Sequence, residues 1–280
     1  MNRRFVFVAN NRSGSVDQIE VDRILARAEQ IGLGPPGQVL IPDAECPRSD
    51  ELDPDDILAV FGGDGTIGSV LRTMAGWAGA ILILPGDTMN LASKRLHGDV
   101  DSLEILDAIA AGRFQRTRPN VIRTAEGDSL AGVMVGPGTS WSDVREAMRD
   151  VDIAELAAST VRAFATTGGA ARVACVKPAI GREDGYPIVE VLPTAEGMEM
   201  SGYKADDPGE FAVGLAALLR HDFRAGPHEA FDVTGTIELR AVDGSPVGML
   251  MDGDPVEERD SVILTVGTSA VDLLVTAPDA

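Results

Sequence analysis

The chain has 280 residues, 44% of them hydrophobic and 24% charged, which suits a globular protein with room for two domains and a substantial core. With 44 acidic and 24 basic side chains the net charge is −20, so the surface repels nucleic acid and gains nothing from anionic lipid headgroups. No stretch approaches the ~20 apolar residues of a spanning helix, and the apolar run behind Met1-Asn2-Arg3-Arg4 is too short for a signal peptide. The only cysteines, Cys46 and Cys175, make neither a disulfide framework nor metal-ligand spacing, which points to a cytoplasmic protein.

Phe5 to Ala9 reads as a first strand and Asn10-Asn11-Arg12-Ser13-Gly14-Ser15 as a polar turn. A helix follows with Val16, Ile19, Ile24, Leu25, Ala28 and Ile31 on one face, stopped at Gly32. Val39 to Ile41 is a short strand, and Pro42 to Asp56, rich in proline and acid, is a loop. Ile57 to Phe61 then runs as a buried parallel strand into Gly62-Gly63-Asp64-Gly65-Thr66. Beyond that turn Ile67, Val70, Leu71 and Met74 share a helix face. Strand, glycine turn and helix aim unpaired amides at an anion, and glycine lets a phosphate approach the backbone closely. The plainer reading, a tight turn with a polar tip, accounts less well for three glycines around an aspartate.

Ala80 to Leu84 is a further buried strand ending in Pro85-Gly86-Asp87-Thr88-Met89-Asn90. A short helix over Leu91 to Leu96 and a longer one between Asp101 as N-cap and Gly112 as C-cap complete the pattern. Alternating strands and helices imply an α/β fold with a doubly wound parallel sheet, whose ligands sit beyond the carboxyl ends of the strands. All three polar turns, at residues 10–15, 62–66 and 85–90, fall there.

Strands dominate after residue 118: Val121 to Thr124, Ala131 to Gly136, Arg172 to Val176, Pro187 to Leu192, Met198 to Lys204, Thr236 to Val242, Val247 to Met251, Ser261 to Val266 and Val271 to Val275. Helices are expected over residues 141–149, 152–166 and 208–219. The boundary therefore falls near residue 118, with 1–118 as an α/β domain and 119–267 as a β-rich one. Arg113, Arg116, Arg118 and Arg123 cluster at this junction; a solvated turn neutralised by acids accounts for them somewhat better than a positive lip for phosphate.

Three of these motifs resemble the diacylglycerol kinase catalytic-domain family, which includes bacterial lipid kinases and sphingosine kinases. Asn10-Asn11-Arg12-Ser13-Gly14 resembles its Asn-Pro-x-Ser-Gly turn, Gly62 to Thr66 matches its Gly-Gly-Asp-Gly-Thr, and Leu84 to Ala92 is similar to its Leu-Pro-x-Gly-Thr-x-Asn stretch. Met251-Asp252-Gly253-Asp254 is a looser match to its Asp-Gly-Glu. NAD kinases and phosphofructokinases share the glycine-aspartate turn, but the Leu-Pro-x-x-Thr-x-Asn stretch favours the lipid branch.

The resemblance implies an ATP-binding α/β domain, to which a C-terminal strand within 268–280 returns, and a β-sandwich-like lipid-substrate domain, with ATP between them. It implies phosphoryl transfer from ATP to a hydroxyl of diacylglycerol or a related lipid, by a protein that is peripheral to the membrane during turnover. A homodimer is left open. The nucleotide would be held by Asn10, Asn11, Arg12, Ser13, Gly14, Gly62, Gly63, Asp64, Gly65, Thr66, Thr88 and Asn90. Asp64 would hold Mg²⁺ directly or through water, and Glu196, in the counterpart of a family metal motif, stands as a second metal candidate. Asp254 takes the place of the family's catalytic Glu, with Asp252 beside it; on their own these residues read as a hairpin turn. Asp87, Leu91 and Asn120 depart from the family pattern. They keep a nucleotide-binding protein without turnover, or a kinase of a soluble alcohol, as alternatives.

Overall fold

A computed structural model describes residues 4–10, 18–33, 37–41, 43–86, 90–137, 172–203, 228–252 and 254–277. The turn residues 11–15 and 87–89 and the helices expected over 141–149, 152–166 and 208–219 lie outside the described residues. The chain divides into two compact units, Met1–Asn120 with Thr268–Ala280, and Val121–Gly267.

In the first unit β1 (Phe5–Asn10), α1 (Gln18–Gln30), β2 (Gly37–Ile41), β3 (Ile57–Gly62), α2 (Asp64–Thr73), β4 (Ala80–Pro85), α3 (Leu91–His97), α4 (Ser102–Ala110) and β5 (Gln115–Thr117) follow one another. The last strand of the chain, β18 (Asp272–Val275), joins their sheet, whose order is β2-β1-β3-β4-β18-β5. Pairing is parallel throughout except between β18 and β5. Phe5, Phe7, Ala9, Ala59, Phe61, Leu82 and Leu84 form one core with Val21, Ile24 and Ala28 of α1 and Ile105, Leu106 and Ile109 of α4. The alternate positions Val6, Val8, Leu58, Val60, Ile81 and Ile83 are buried as well. Burial on both faces is why these strands read as continuous apolar runs, not as alternation.

Two details correct the sequence reading. In α1 the buried stripe is Val21, Ile24 and Ala28, while Ile19 is 68% exposed. Leu25 and Ile31 of the expected face pack against the same core, while Val21 takes the place expected of Ile19. The second helix starts inside the glycine motif, at Asp64, so Asp64 to Thr66 form its first turn. The expected cap of α4 is present: Asp101 Oδ1 accepts from Glu104 N at 2.8 Å, and Glu104 Oε2 accepts from Asp101 N at 3.1 Å. At the junction Asp272 accepts from Arg116 at 2.7 Å and from Arg118 at 2.6 Å, and Arg123 stands 3.5 Å from Asp128. Three of the four junction arginines, Arg116, Arg118 and Arg123, are thus paired with acids, as the plainer reading has it.

The second unit contains two six-stranded sheets with one core between them. Its strands are β6 (Asn120–Thr124), β7 (Gly127–Ser129), β8 (Val133–Pro137), β9 (Val173–Lys177), β10 (Ala179–Ile180), β11 (Ile188–Pro193), β12 (Met198–Tyr203), β13 (His228–Val233), β14 (Thr236–Ala241), β15 (Val247–Met251), β16 (Asp254–Arg259) and β17 (Val262–Thr268). The sheet orders are β10-β9-β14-β17-β6-β7 and β13-β12-β11-β8-β15-β16. Val173, Ile237, Leu239 and Leu264 of the first face Val135, Val189, Val191, Met200 and Met249 of the second, the arrangement of a β-sandwich. The strand β16, Asp-Pro-Val-Glu-Glu-Arg, was not legible in sequence, because an exposed edge strand bearing charge and proline shows no apolar alternation.

Tyr186 is packed over Gly202 and held at its hydroxyl, which donates to Glu229 Oε2 at 2.5 Å and accepts from Arg182 N at 3.1 Å. A Cβ on Gly202 would lie 2.5 Å from Tyr186 Cε1, and the ring cannot swing away without losing both bonds. Gly202→Ala is expected to lower stability in urea unfolding by about 2–3 kcal/mol with the denaturant slope unchanged.

Candidate functional site

The carboxyl ends of β3 and β4 in the first unit carry the glycine motif and the Leu-Pro stretch. The N-cap of α2 is Gly63, extended at φ −75 and ψ 169, which has no side chain to cap the helix. Its first turn is therefore the partial positive end of a ten-residue helix that receives no cap from its own N-cap residue. Asn10 Nδ2, at the end of β1, donates to Thr66 Oγ1 at 3.2 Å and ties the first polar turn to the second.

Gly62 and Gly86 touch backbone to backbone. A Cβ on Gly86 would stand 2.5 Å from Gly62 N and 2.8 Å from Gly62 Cα. Only a residue without a side chain lets the ends of β3 and β4 come this close. Gly86 was not among the candidates read from sequence, although its place between Pro85 and Asp87 in the third turn was the available signal. Asn90 is left-handed, with φ 50 and ψ 40, and its Oδ1 accepts from Gly86 N at 3.0 Å, closing the turn after β4. Asp64, 8% exposed, accepts from Leu91 N through Oδ2 at 3.1 Å and from Ala92 N through Oδ1 at 3.0 Å. The structure thus brings Asn10, Gly62, Gly63, Asp64, Gly65, Thr66 and Asn90 to one end of one sheet. Asn11, Arg12, Ser13, Gly14 and Thr88 lie outside the described residues.

In the second unit Asp252, at φ 50, begins the turn between β15 and β16. Its Oδ1 accepts from Ser129 Oγ and Ala131 N, both at 2.7 Å, and from Gly132 N at 3.3 Å; its Oδ2 accepts from Leu130 N at 3.4 Å. Burial pushes this carboxyl upward, and the bonds from Ser129, Ala131, Leu130 and Gly132 oppose that shift. Asp252 therefore anchors the segment after β7 and is not an open carboxylate. Asp254, two residues on, is exposed at the start of β16, opposite Met251. Glu196 stands exposed on the tight turn between β11 and β12, where Thr194 and Gly197 exchange backbone hydrogen bonds. Among the described residues no three His, Cys, Asp or Glu side chains converge as a metal cluster.

A buried polar group that the sequence reading passed over lies on the outer face of the second sandwich sheet. Tyr203 Oη donates to Glu190 Oε2 at 2.7 Å, and the Tyr203 and His228 rings are 5.8 Å apart. Burial pushes Glu190 up to about 7, with Glu199 adding to the shift and Tyr203 and His228 opposing it.

Residues 42–119 match the family model of the diacylglycerol kinase catalytic domain. That segment contains both the glycine motif and the Leu-Pro stretch. No curated protein matches the chain. Among solved structures, one described as a "putative diacylglycerol kinase" from Bacillus anthracis str. Sterne is similar over 99% of this chain and 98% of its own, with 15% identity and a TM-score of 0.64. Another, described as a diacylglycerol kinase from the same organism, is similar over 99% of this chain and 97% of its own, with 14% identity and a TM-score of 0.62. These likenesses show a shared fold. The family model in turn covers the segment that carries the two motif-bearing turns, so the resemblance to the diacylglycerol kinase catalytic domain is localised to residues 42–119.

Proposed function

We propose that this protein is an ATP-dependent lipid kinase that transfers the γ-phosphoryl group to a hydroxyl of diacylglycerol or a related lipid. The observation that carries the reading is the start of α2: a helix amino end capped by a glycine, beside the close Gly62–Gly86 contact, in the segment that matches the family model. Backbone amides of residues 62–66 and the Thr66 hydroxyl suit the phosphates of ATP, with Asn10 orienting Thr66. Asn11, Arg12, Ser13, Gly14 and Thr88 join them by resemblance. When bound, Mg²⁺ supplies charge neutralisation at the transferring phosphoryl, and Asp64 is the carboxylate of this turn that would hold it. Asp254 is the general base that takes the proton of the lipid hydroxyl, and Asp252 holds the turn that presents it.

The acceptor would be met at a membrane surface by a cytoplasmic protein. With a net charge of −20, attachment to that surface is apolar or through a local basic patch. No described helix is long and apolar enough to cross a membrane. A second reading, nucleotide binding without turnover, draws on Leu91, which brings no carboxylate to the start of α3.

Incubation with radiolabelled ATP, Mg²⁺ and extracted lipids together with a water-soluble metabolite extract separates these readings. Labelled lipid is expected. Asp254→Ala should lower kcat by about 10²-fold or more while ATP affinity by calorimetry stays within a few-fold. Label found only on a water-soluble alcohol would move the assignment to a small-molecule kinase. ATP binding without any labelled product would move it to the second reading.

A further inference from the structure

A carboxylate that accepts two backbone amides from a different helix is doing a cap's work. The N-cap of α3 is Asn90, which is left-handed and makes no side-chain cap bond; its Oδ1 is turned to Gly86 N instead. The first two amides of α3 would be orphans on that account. They are received by Asp64, the first residue of α2 and 27 positions earlier in the chain, with one oxygen for Leu91 N at 3.1 Å and the other for Ala92 N at 3.0 Å. A carboxylate at the amino end of a helix is favoured by the helix dipole, and hydrogen bonds to an ion are about twice as strong as neutral ones.

We infer that Asp64 is a positioning residue, a tertiary cap of α3 that clamps the glycine turn after β3 to the turn after β4 and meets any metal through water. The functional part of this inference rests on the nucleotide-site reading above; the geometric part does not. One clamp closes through Asp64 to Leu91 and Ala92, and a second closes through Gly86 to Asn90. The start of α3 is therefore tied to the start of α2 through Asp64, and Asn90, just before it, is tied to the end of β4 through Gly86. A metal bound directly to Asp64 would draw charge from the two oxygens that hold α3, weakening both bonds. Contact through a water leaves them in place.

Trans-hydrogen-bond scalar coupling tests the clamp in the unaltered protein. Couplings from the Leu91 and Ala92 amide nitrogens to the Asp64 carboxyl carbon are expected, both alone and with ATP and Mg²⁺ added. Their absence, or their loss when ATP and Mg²⁺ are added, would overturn the inference. Asp64→Asn supplies the second arm, since its amide group puts a donor against one of the two N–H groups. Exchange of the Leu91 and Ala92 amides should quicken by about tenfold, with Val60 in β3 unaffected. Unaltered exchange in this variant rejects the clamp. The couplings and exchange need no turnover, so they decide the clamp even if no lipid is phosphorylated.

Discussion

Gly86→Ala is expected to lower ATP affinity and any phosphoryl transfer by about 10²-fold, the cost of displacing a positioned group by about 1 Å. The atoms its Cβ would meet are Gly62 N at 2.5 Å, Gly62 Cα at 2.8 Å and Phe61 C at 3.2 Å. All three are backbone, so no rotamer change relieves the overlap; the ends of β3 and β4 must part. Gly86 N is also the donor to Asn90 Oδ1, so the same displacement opens the turn after β4. A stability loss of about 1–3 kcal/mol should accompany the functional one. Gly68→Ala is the control. Gly68 lies inside α2, its Cβ would meet only Arg72 Nη1 at 3.4 Å, and Ala is favoured over Gly in a helix interior by about 1 kcal/mol. That variant should be more stable and keep its ATP affinity. Calorimetric ATP titration and urea unfolding of both variants check the pair; wild-type affinity in Gly86→Ala would remove the backbone contact from the site.

Glu190→Gln is expected to raise stability at pH 8 by about 3 kcal/mol relative to the wild type and to leave it unchanged at pH 4. Burial carries the Glu190 carboxyl from an ordinary 4.5 to about 7. Between these values the folded state holds a proton that the unfolded state has released. Stability is thus fully present below pH 4.5 and is lost as pH rises through 7. His97, in the first unit, has the opposite linkage. It is 5% exposed, its Nδ1 lies 2.9 Å from Thr276 Oγ1, and burial lowers it from 6.5 to about 4. The unfolded state binds the extra proton here, so this stability is present above pH 6.5 and lost as pH falls through 4. The two slopes oppose one another across the same window. His97→Asn should therefore flatten the acid limb by about 3 kcal/mol, while Glu190→Gln flattens the neutral one. Chemical unfolding at pH 4, 6 and 8 for wild type, both single variants and the double variant reads the two terms by difference. Parallel pH profiles for Glu190→Gln and wild type would show that Glu190 is hydrated in the folded protein.

The elements nearest the candidate site were the most legible. Ile57 to Phe61 and Ala80 to Leu84 are continuous apolar runs buried on both faces, and Asp101 with Glu104 spells a capping box, so local chemistry and tertiary environment agree there. Edge elements were not legible. The charged β16 and the three-residue β5 carry no periodicity, because their partners, not their own side chains, make them strands.

By itself, the sequence determined that the first unit holds a parallel sheet, that three polar turns follow its strands, and the resemblance to a lipid-kinase family, since glycine, proline and apolar period act within a few residues. The tertiary structure decided what those turns are made of. It began α2 at Asp64, turned Asp64 toward amides 27 and 28 residues away, and set Gly86 against Gly62. It also gave Asp252 four donors, which leaves Asp254 as the exposed carboxylate of that pair. The reason is physical: a carboxylate's work depends on which donors surround it, and those donors come from segments brought together only when the sheets form.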